Sequence, residues 1–328
     1  MAKKGRVFSG ARPTGRQHLG NYCGAIQNYV ALQKDYHCVY CVVDLHALTS
    51  LTDTSELRRN TYEMVLDWLA AGMDPEESII FAQSRVPQVT ELHVLLSMVT
   101  PMGRLTRLPT FKEKVREQPD NVNYGLLGYP VLMAADITLY KADIVPVGED
   151  QAPHLEFTRE IVRRFNNFYG NVLIEPQIIL TPTPLVLGID GVHKMSKSLD
   201  NHIELAATPD EIRQRVMRMV TDPARKYRHD LGHPEICNVF ALHKIFASDP
   251  SQIPQIEADC RNGSLGCVEH KQMFAEDLIK ALAPFRARRA ELAQEPQRIW
   301  EILEDGASRA RIIATETVRQ CREAMGLP

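Results

Sequence analysis

The stretch from Cys38 to Asp44 runs Cys-Val-Tyr-Cys-Val-Val-Asp, apolar at consecutive rather than alternate positions. A strand with one wet face alternates, whereas a strand buried on both faces does not, and strands of the second kind belong to parallel sheets covered by helices on each side. The flanking sequence supplies those helices. Arg6-Val7-Phe8-Ser9 reads as a first strand, positions 10–15 as a loop, and Gln17 to Gln33 as a helix. Thr54-Ser55-Glu56 starts a helix running to about Ala71, and Ser78 to Gln83 is a third strand. A helical stretch with Leu92, Leu95, Leu96 and Val99 at core spacing follows, then a polar connection from Arg104 to Asn123. Tyr129 to Tyr140 reads as a helix, Ile144 to Val147 as a strand and Pro153 to Phe165 as a helix. Alternation of this kind predicts an α/β fold, a Rossmann-like doubly wound parallel sheet.

Beyond residue 194 the pattern turns to helices. Thr208-Pro209-Asp210-Glu211 combines an N-cap, a proline at the first helical position and an acid three residues on, predicting a helix from Pro209 to about Val220. A last helix from about Gly306 to Met325 places Ala310, Ile313, Ala314, Thr317, Val318 and Cys321 on one face. The expected division is a catalytic domain over 1–198 and an all-helical domain over 199–328, with the last helix packing back on the first. The N-terminus leads straight into Val7-Phe8 without a signal-peptide pattern, and no apolar run approaches the roughly 20 residues needed to span a bilayer, so a cytoplasmic protein is expected. With a formal net charge of −3, any contact with nucleic acid must come from local basic patches. Such clusters occur at Arg213, Arg215, Arg218, Arg225, Lys226 and Arg228 and at Arg286, Arg288 and Arg289, although a charge run equally suits a solvated helix face.

Two short motifs carry chemistry. Thr14-Gly15-Arg16-Gln17-His18-Leu19-Gly20-Asn21 falls just after the first strand, where helix N-termini of a parallel sheet point free N–H groups at anions. There His18 and Asn21 can donate to phosphate and Gly20 lets a flat base approach; a capped turn is the plain alternative. Lys194-Met195-Ser196-Lys197-Ser198, with Gly188 and Gly191 upstream, offers mobile positive charge that could close over a departing pyrophosphate, or could be a simple linker. Met133 and Asp136 share a helix face among Met, Ala, Ile and Leu, so Asp136 needs a donor if buried. An indole N–H is one such donor; partial exposure or nearby backbone would serve as well.

Taken in this order, the two motifs resemble the signatures of class I aminoacyl-tRNA synthetases, and the whole chain is similar to the bacterial tryptophanyl-tRNA synthetases. The most specific stretches are Ser9 to Gly15, Tyr129 to Asp136, and Val147-Gly148-Glu149-Asp150-Gln151 with His154 and Arg159. Leu19 and Asn21 stand where Ile and His are commoner, and Asn21 still leaves a phosphate donor. The resemblance implies that L-tryptophan is activated with ATP and Mg²⁺ and passed to the 3′ end of tRNA(Trp) by a homodimer. It implies that Asp136 accepts the indole N–H, that Met133 packs on the ring and that Gln151 holds the polar end, with Phe8, His46, Tyr129, Val145 and Val147 completing the pocket. It further implies that Arg12, Thr14, Gly20, Asn21, Gly148, Asp150, Lys194, Met195, Ser196 and Lys197 meet ATP, and that His18, Asn21, Lys114, Lys194 and Lys197 serve catalysis. A site built around an N–H rejects analogues lacking it by about 10⁴ to 10⁵, which makes editing unnecessary. A tyrosyl enzyme shares fold and motifs but needs a pocket for a phenol. A non-catalytic tryptophan- or RNA-binding paralogue has no need to keep His18, Lys194 and Lys197.

The cysteines raise a separate question. Cys237, Cys260, Cys267 and His270 follow the spacing C-x22-C-x6-C-x2-H. In a subset of the tryptophanyl enzymes similar stretches carry four cysteines and a [4Fe-4S] cluster, so a cluster, a Zn²⁺ ion or no metal are the alternatives here. Cys38 and Cys41 lie three apart in a strand and so face opposite sides, which excludes a bridge and predicts buried apolar side chains.

Overall fold

The computed structural model describes residues 3–117, 119–148, 151–180 and 186–328. The strands are β1 (Arg6–Ala11), β2 (His37–Val42), β3 (Ser78–Ala82), β4 (Ile144–Val147) and β5 (Gln177–Leu180). All described pairings are parallel and the order is β3-β2-β1-β4-β5. The crossovers carry α1 (Leu19–Asn21), α2 (Gln27–Leu32), α3 (Asp44–Ala47), α4 (Leu57–Ala70), α5 (Gln88–Ser97), α6 (Met102–Leu105), α7 (Pro109–Glu117), α8 (Tyr124–Leu139) and α9 (Ala152–Tyr169). After β5 come α10 (Pro209–Met217), α11 (Asn238–Phe246), α12 (Ile253–Arg261), α13 (Cys267–Leu292) and α14 (Pro296–Ala324). The doubly wound sheet and the helical C-terminal region match the expectation. None of the described helices is long and apolar enough to cross a membrane.

Burial on both sheet faces follows from consecutive apolar positions. Val7, Cys38, Tyr40, Val42 and Ile80 enter one apolar cluster, and Phe8, Val39, Cys41, Val43 and Phe81 enter the other. Cys38 and Cys41 are therefore on opposite faces, free and buried. The first cluster continues into Ile212, Val216, Phe240, Phe274 and Leu278, so the C-terminal helices share a core with one sheet face. Helix α14 contributes Ile299 and Leu303 to that cluster and Ala307, Ala310 and Ala314 to the other, wrapping the edge strand β3. At the crossing a Cβ on Gly306 would lie 1.9 Å from the Ile80 carbonyl oxygen, so this close approach requires glycine.

Several sequence-derived boundaries shift. The 104–123 connection is not a plain loop, since it contains α6 and α7. The first helix is interrupted by a π-helical turn, Tyr22–Ile26. The last helix begins at Pro296, ten residues before the expected Gly306.

Candidate active site

A cavity of about 660 Å³ opens where the strand order reverses, between the carboxyl ends of β1 and β4. Open α/β sheets bind ligands at this switch point because neighbouring loops leave in opposite directions there. Phe8, Ser9 and Gly10 from β1, Val145 and Val147 from β4, His46 from α3, and Tyr129, Met133 and Asp136 from α8 line it, with Arg12, Lys114, Gln151 and His154. The structure thus brings together every residue expected at the tryptophan pocket. Gly148 follows β4 and its carbonyl accepts the Gln151 N–H at 3.0 Å. Asp150 lies outside the described residues.

Asp136 is only 1% exposed, and its carboxylate is held from two sides. Gln83 Nε2 donates to both oxygens at 2.8 Å, and His46 Nε2 lies 2.9 Å from Oδ2. Gln83 is fully buried and its Oε1 accepts the backbone N–H groups of Leu45 at 3.1 Å and His46 at 3.3 Å, which fixes the start of α3. Sequence reasoning missed Gln83. Its one available signal was a polar residue directly after an apolar strand. Tyr129 Oη donates to Thr110 Oγ1 at 2.9 Å and lies 3.3 Å from His154 Nε2. Arg12 donates to Ser50 Oγ at 2.7 Å, and burial depresses its pKa.

A second cluster joins the two motifs. His18 N-caps α1 through a reciprocal box: its Nδ1 accepts the Asn21 N–H at 3.3 Å while Asn21 Oδ1 accepts the His18 N–H at 3.1 Å. With Nδ1 used as an acceptor, the neutral ring carries its proton on Nε2. Neutrality is enforced by burial first, then by the neighbouring His202 and Lys197, which together push the His18 pKa down to about 4. Lys197 Nζ donates to the Thr14 carbonyl at 3.0 Å, and burial lowers its pKa. A Cβ on Gly20 would stand 3.2 Å from Met195 Cβ, so glycine here also admits the second-motif loop.

That loop has a defined frame. Val186 and Met195 pair through their backbones at 3.0 Å, and Met195 is buried. Asn201, 2% exposed, accepts the Ser196 N–H at 2.7 Å and donates to Asp190 Oδ2 at 2.9 Å. A Cβ on Gly188 would meet the Asn201 amide at 2.2 Å. Lys194 is exposed.

Of the alternatives weighed for Cys237, Cys260, Cys267 and His270, a four-ligand metal arrangement is not formed among the described residues. His270 Nε2 lies 3.0 Å from His243 Nδ1, and His243 Nε2 lies 3.0 Å from Asp277 Oδ2, so the imidazole is bound into a buried relay. The Arg225 guanidinium approaches Cys260 Sγ at 4.0 Å and Cys267 Sγ at 3.8 Å, placing a cation beside two of the three thiols. Among the described residues no group of three or more His, Cys, Asp or Glu is placed to hold a metal ion. These residues do not fit a cluster or zinc.

A neutral histidine at the first helix, a lysine loop packed on it and a cavity at the switch point define the site of a nucleotide-using enzyme of class I synthetase type. The family model described as tRNA synthetases class I (W and Y) matches residues 1–283. Tryptophan–tRNA ligases are 43% identical in Thermotoga maritima, over 98% of this chain and 99% of that protein, and 39% identical in Aquifex aeolicus, over 98% and 100%. The tryptophanyl-tRNA synthetase of Campylobacter jejuni, solved with ADP and tryptophan, aligns with a TM-score of 0.90 at 35% identity over 98% of this chain and 100% of that one. The chain belongs to the class I tRNA synthetases and, within them, to the bacterial tryptophanyl-tRNA synthetase family.

Proposed function

We propose that the chain activates L-tryptophan with ATP, giving tryptophanyl-adenylate and pyrophosphate, and then transfers tryptophan to the 3′ end of tRNA(Trp). The observation that carries this reading is the buried Asp136 carboxylate lining an otherwise largely apolar cavity with Phe8, Met133, Val145 and Val147. An indole needs one acceptor for its N–H and nothing else. A phenol also seeks a donor for its own oxygen, and the two donors that flank Asp136, Gln83 and His46, are committed to the carboxylate.

In the first step a carboxylate oxygen of tryptophan attacks the α-phosphorus of ATP as pyrophosphate leaves in line. Arg12 and Lys114 line the same cavity and would face the phosphates. His18, neutral with a donating Nε2–H, would bond a phosphate oxygen without adding charge, together with Asn21. Lys194 and Lys197 would close on the departing pyrophosphate, making contacts that strengthen in the transition state. Mg²⁺ would be held chiefly by phosphate oxygens, the usual mode for this ion, and would neutralise part of their charge. Gly148 and Asp150 would meet the ribose, and Gln151 the amino acid's polar end.

The region from residue 199 is proposed to hold tRNA. Lys226, Tyr227 and Arg228 line a cavity of about 700 Å³ beside Arg225, a basic and aromatic surface suited to single-stranded RNA. Not every basic residue serves there: Arg213 pairs with Asp210 and Glu276, Arg215 with Asp200, and Arg289 with Asp67 and Glu63. A homodimer completes the proposal, supported by exposed Val94, Met98, Met102 and Tyr124 on neighbouring helices. Charging of a tRNA(Trp) transcript with labelled tryptophan tests the reading. Acid-precipitable label is expected with that transcript and not with tRNA(Tyr); label on tRNA(Tyr) from tyrosine would reassign the pocket.

A further inference from the structure

Asp67, on α4, is fully buried and lies outside the tryptophan cavity. Its Oδ2 accepts the backbone N–H of Gln17, the residue before His18, at 2.5 Å. Its Oδ1 accepts Arg289 Nε, from α13, at 2.6 Å. Arg289 also bonds Glu63, one turn earlier on α4. From there charges step toward the second motif: Glu63 lies 3.5 Å from Arg16, Arg16 lies 3.5 Å from Glu204, and Glu204 lies 3.9 Å from Lys197. One buried carboxylate therefore joins a C-terminal helix to the loop that carries the catalytic histidine.

A buried carboxylate without a cation is costly, and removing one member of such a pair leaves the other uncompensated. Burial already lifts the Asp67 pKa to about 6 despite the opposing pull of Arg289. Without Arg289 the carboxyl would protonate or turn away, and the Gln17 amide would lose a charged acceptor held in a fixed orientation. Among the described residues, Gln17 is otherwise tied on its other side, where its carbonyl accepts the Leu205 N–H at 2.9 Å and its side chain donates to the Gly15 carbonyl at 2.6 Å.

We propose that Arg289 and Asp67 are positioning residues for adenylation: Arg289 orients the Asp67 carboxylate, which anchors the Gln17 amide and so sets the His18 ring against the Lys197 loop. This rests on the activity proposed above. The test compares the full-length wild type, Arg289→Met, and Arg289→Met combined with Asp67→Asn. Methionine keeps the apolar stem without the guanidinium. Asparagine keeps an acceptor for the Gln17 N–H without a buried charge. Each protein is assayed for tryptophan-dependent pyrophosphate exchange into ATP, for tryptophan binding by calorimetry and for thermal unfolding.

Arg289→Met is expected to lower kcat about tenfold or more while the Kd for tryptophan stays within about twofold, because the pair does not touch the cavity. The double variant is expected to return to within about threefold of the wild-type kcat. An unchanged kcat in Arg289→Met, an equal loss of tryptophan binding, or a double variant that is unfolded or no better than the single one overturns the proposal. Should Arg289→Met fail to fold, the double variant decides alone by the same threefold mark. A wild type that shows no tryptophan-dependent exchange would count against the activity itself, which is a separate failure.

Discussion

His46 Nε2 lies 2.9 Å from Asp136 Oδ2, so the carboxylate lining the cavity is braced from α3 as well as by Gln83 beyond β3. The brace spans 90 positions of sequence and fixes one acceptor in a pocket whose shape comes from β1, β4 and α8. Replacing Asp136 with asparagine would present an amide N–H to Gln83, to His46 or to the indole. Asp136→Asn is expected to lower kcat/KM for tryptophan about 10²-fold or more, mainly through KM. Steady-state exchange kinetics checks this, and a KM unchanged within error would remove Asp136 from recognition.

Lys197 is expected to act in the transition state rather than in the ground state. Lys197→Ala should reduce the rate of adenylate formation about 10² to 10³-fold while tryptophan affinity changes little. Single-turnover rates and calorimetric binding separate the two; parallel losses would contradict the role given to the loop.

The pH dependence of His18 has a definite sign. Its pKa is depressed to about 4, against about 6.5 in an unfolded chain. Between those values the unfolded state binds a proton that the native state does not, so stability is full above about pH 6.5 and falls as pH drops toward 4. The loss amounts to about 3 kcal/mol at most, and His18→Asn should abolish that part of it. Denaturant melts at pH 7 and pH 4.5 measure the difference, and imidazole NMR should show His18 still neutral at pH 5.5.

Much of the fold was legible because two-sided burial writes an uninterrupted apolar run, as in β2, and because the capping box at Thr208 has a local signature. What stayed hidden depends on partners distant in sequence. The last helix reads as starting at about Gly306, where its apolar spacing becomes regular, yet Gly306 lies within α14, where the Ile80 carbonyl leaves no room for a side chain. Arg289 reads as one of three basic residues for tRNA, and only the fold brings it to Asp67, 222 positions away. The cavity residues were found through family resemblance, whereas Gln83 and Asn201, which hold Asp136 and the lysine loop in place, belong to no motif quoted for it.

Gly306→Ala sets two effects against each other. Alanine favours a helix interior by about 1 kcal/mol, but its methyl would overlap the Ile80 carbonyl. Overpacking should win, with a net loss of about 2 kcal/mol or more and a lowered Tm. A rise in Tm would mean that α14 does not approach β3 so closely.

Metal analysis tests the reading of the cysteine region. With His270 bound to His243 and Arg225 beside two of the thiols, anaerobically purified protein should contain less than about a tenth of an iron or zinc atom per chain. Chelator treatment should leave the thermal unfolding curve unchanged. Near-stoichiometric metal with lowered stability after chelation would show that Arg225 gives way to a metal site.

The most direct measurement is pyrophosphate exchange into ATP with Mg²⁺, comparing tryptophan, tyrosine and phenylalanine. Exchange driven by tryptophan, with the other two at least about 10³-fold weaker in kcat/KM, is the expected result. Exchange driven by tyrosine, or by none of the three, would contradict the assignment of Asp136 and its cavity to the activation of tryptophan.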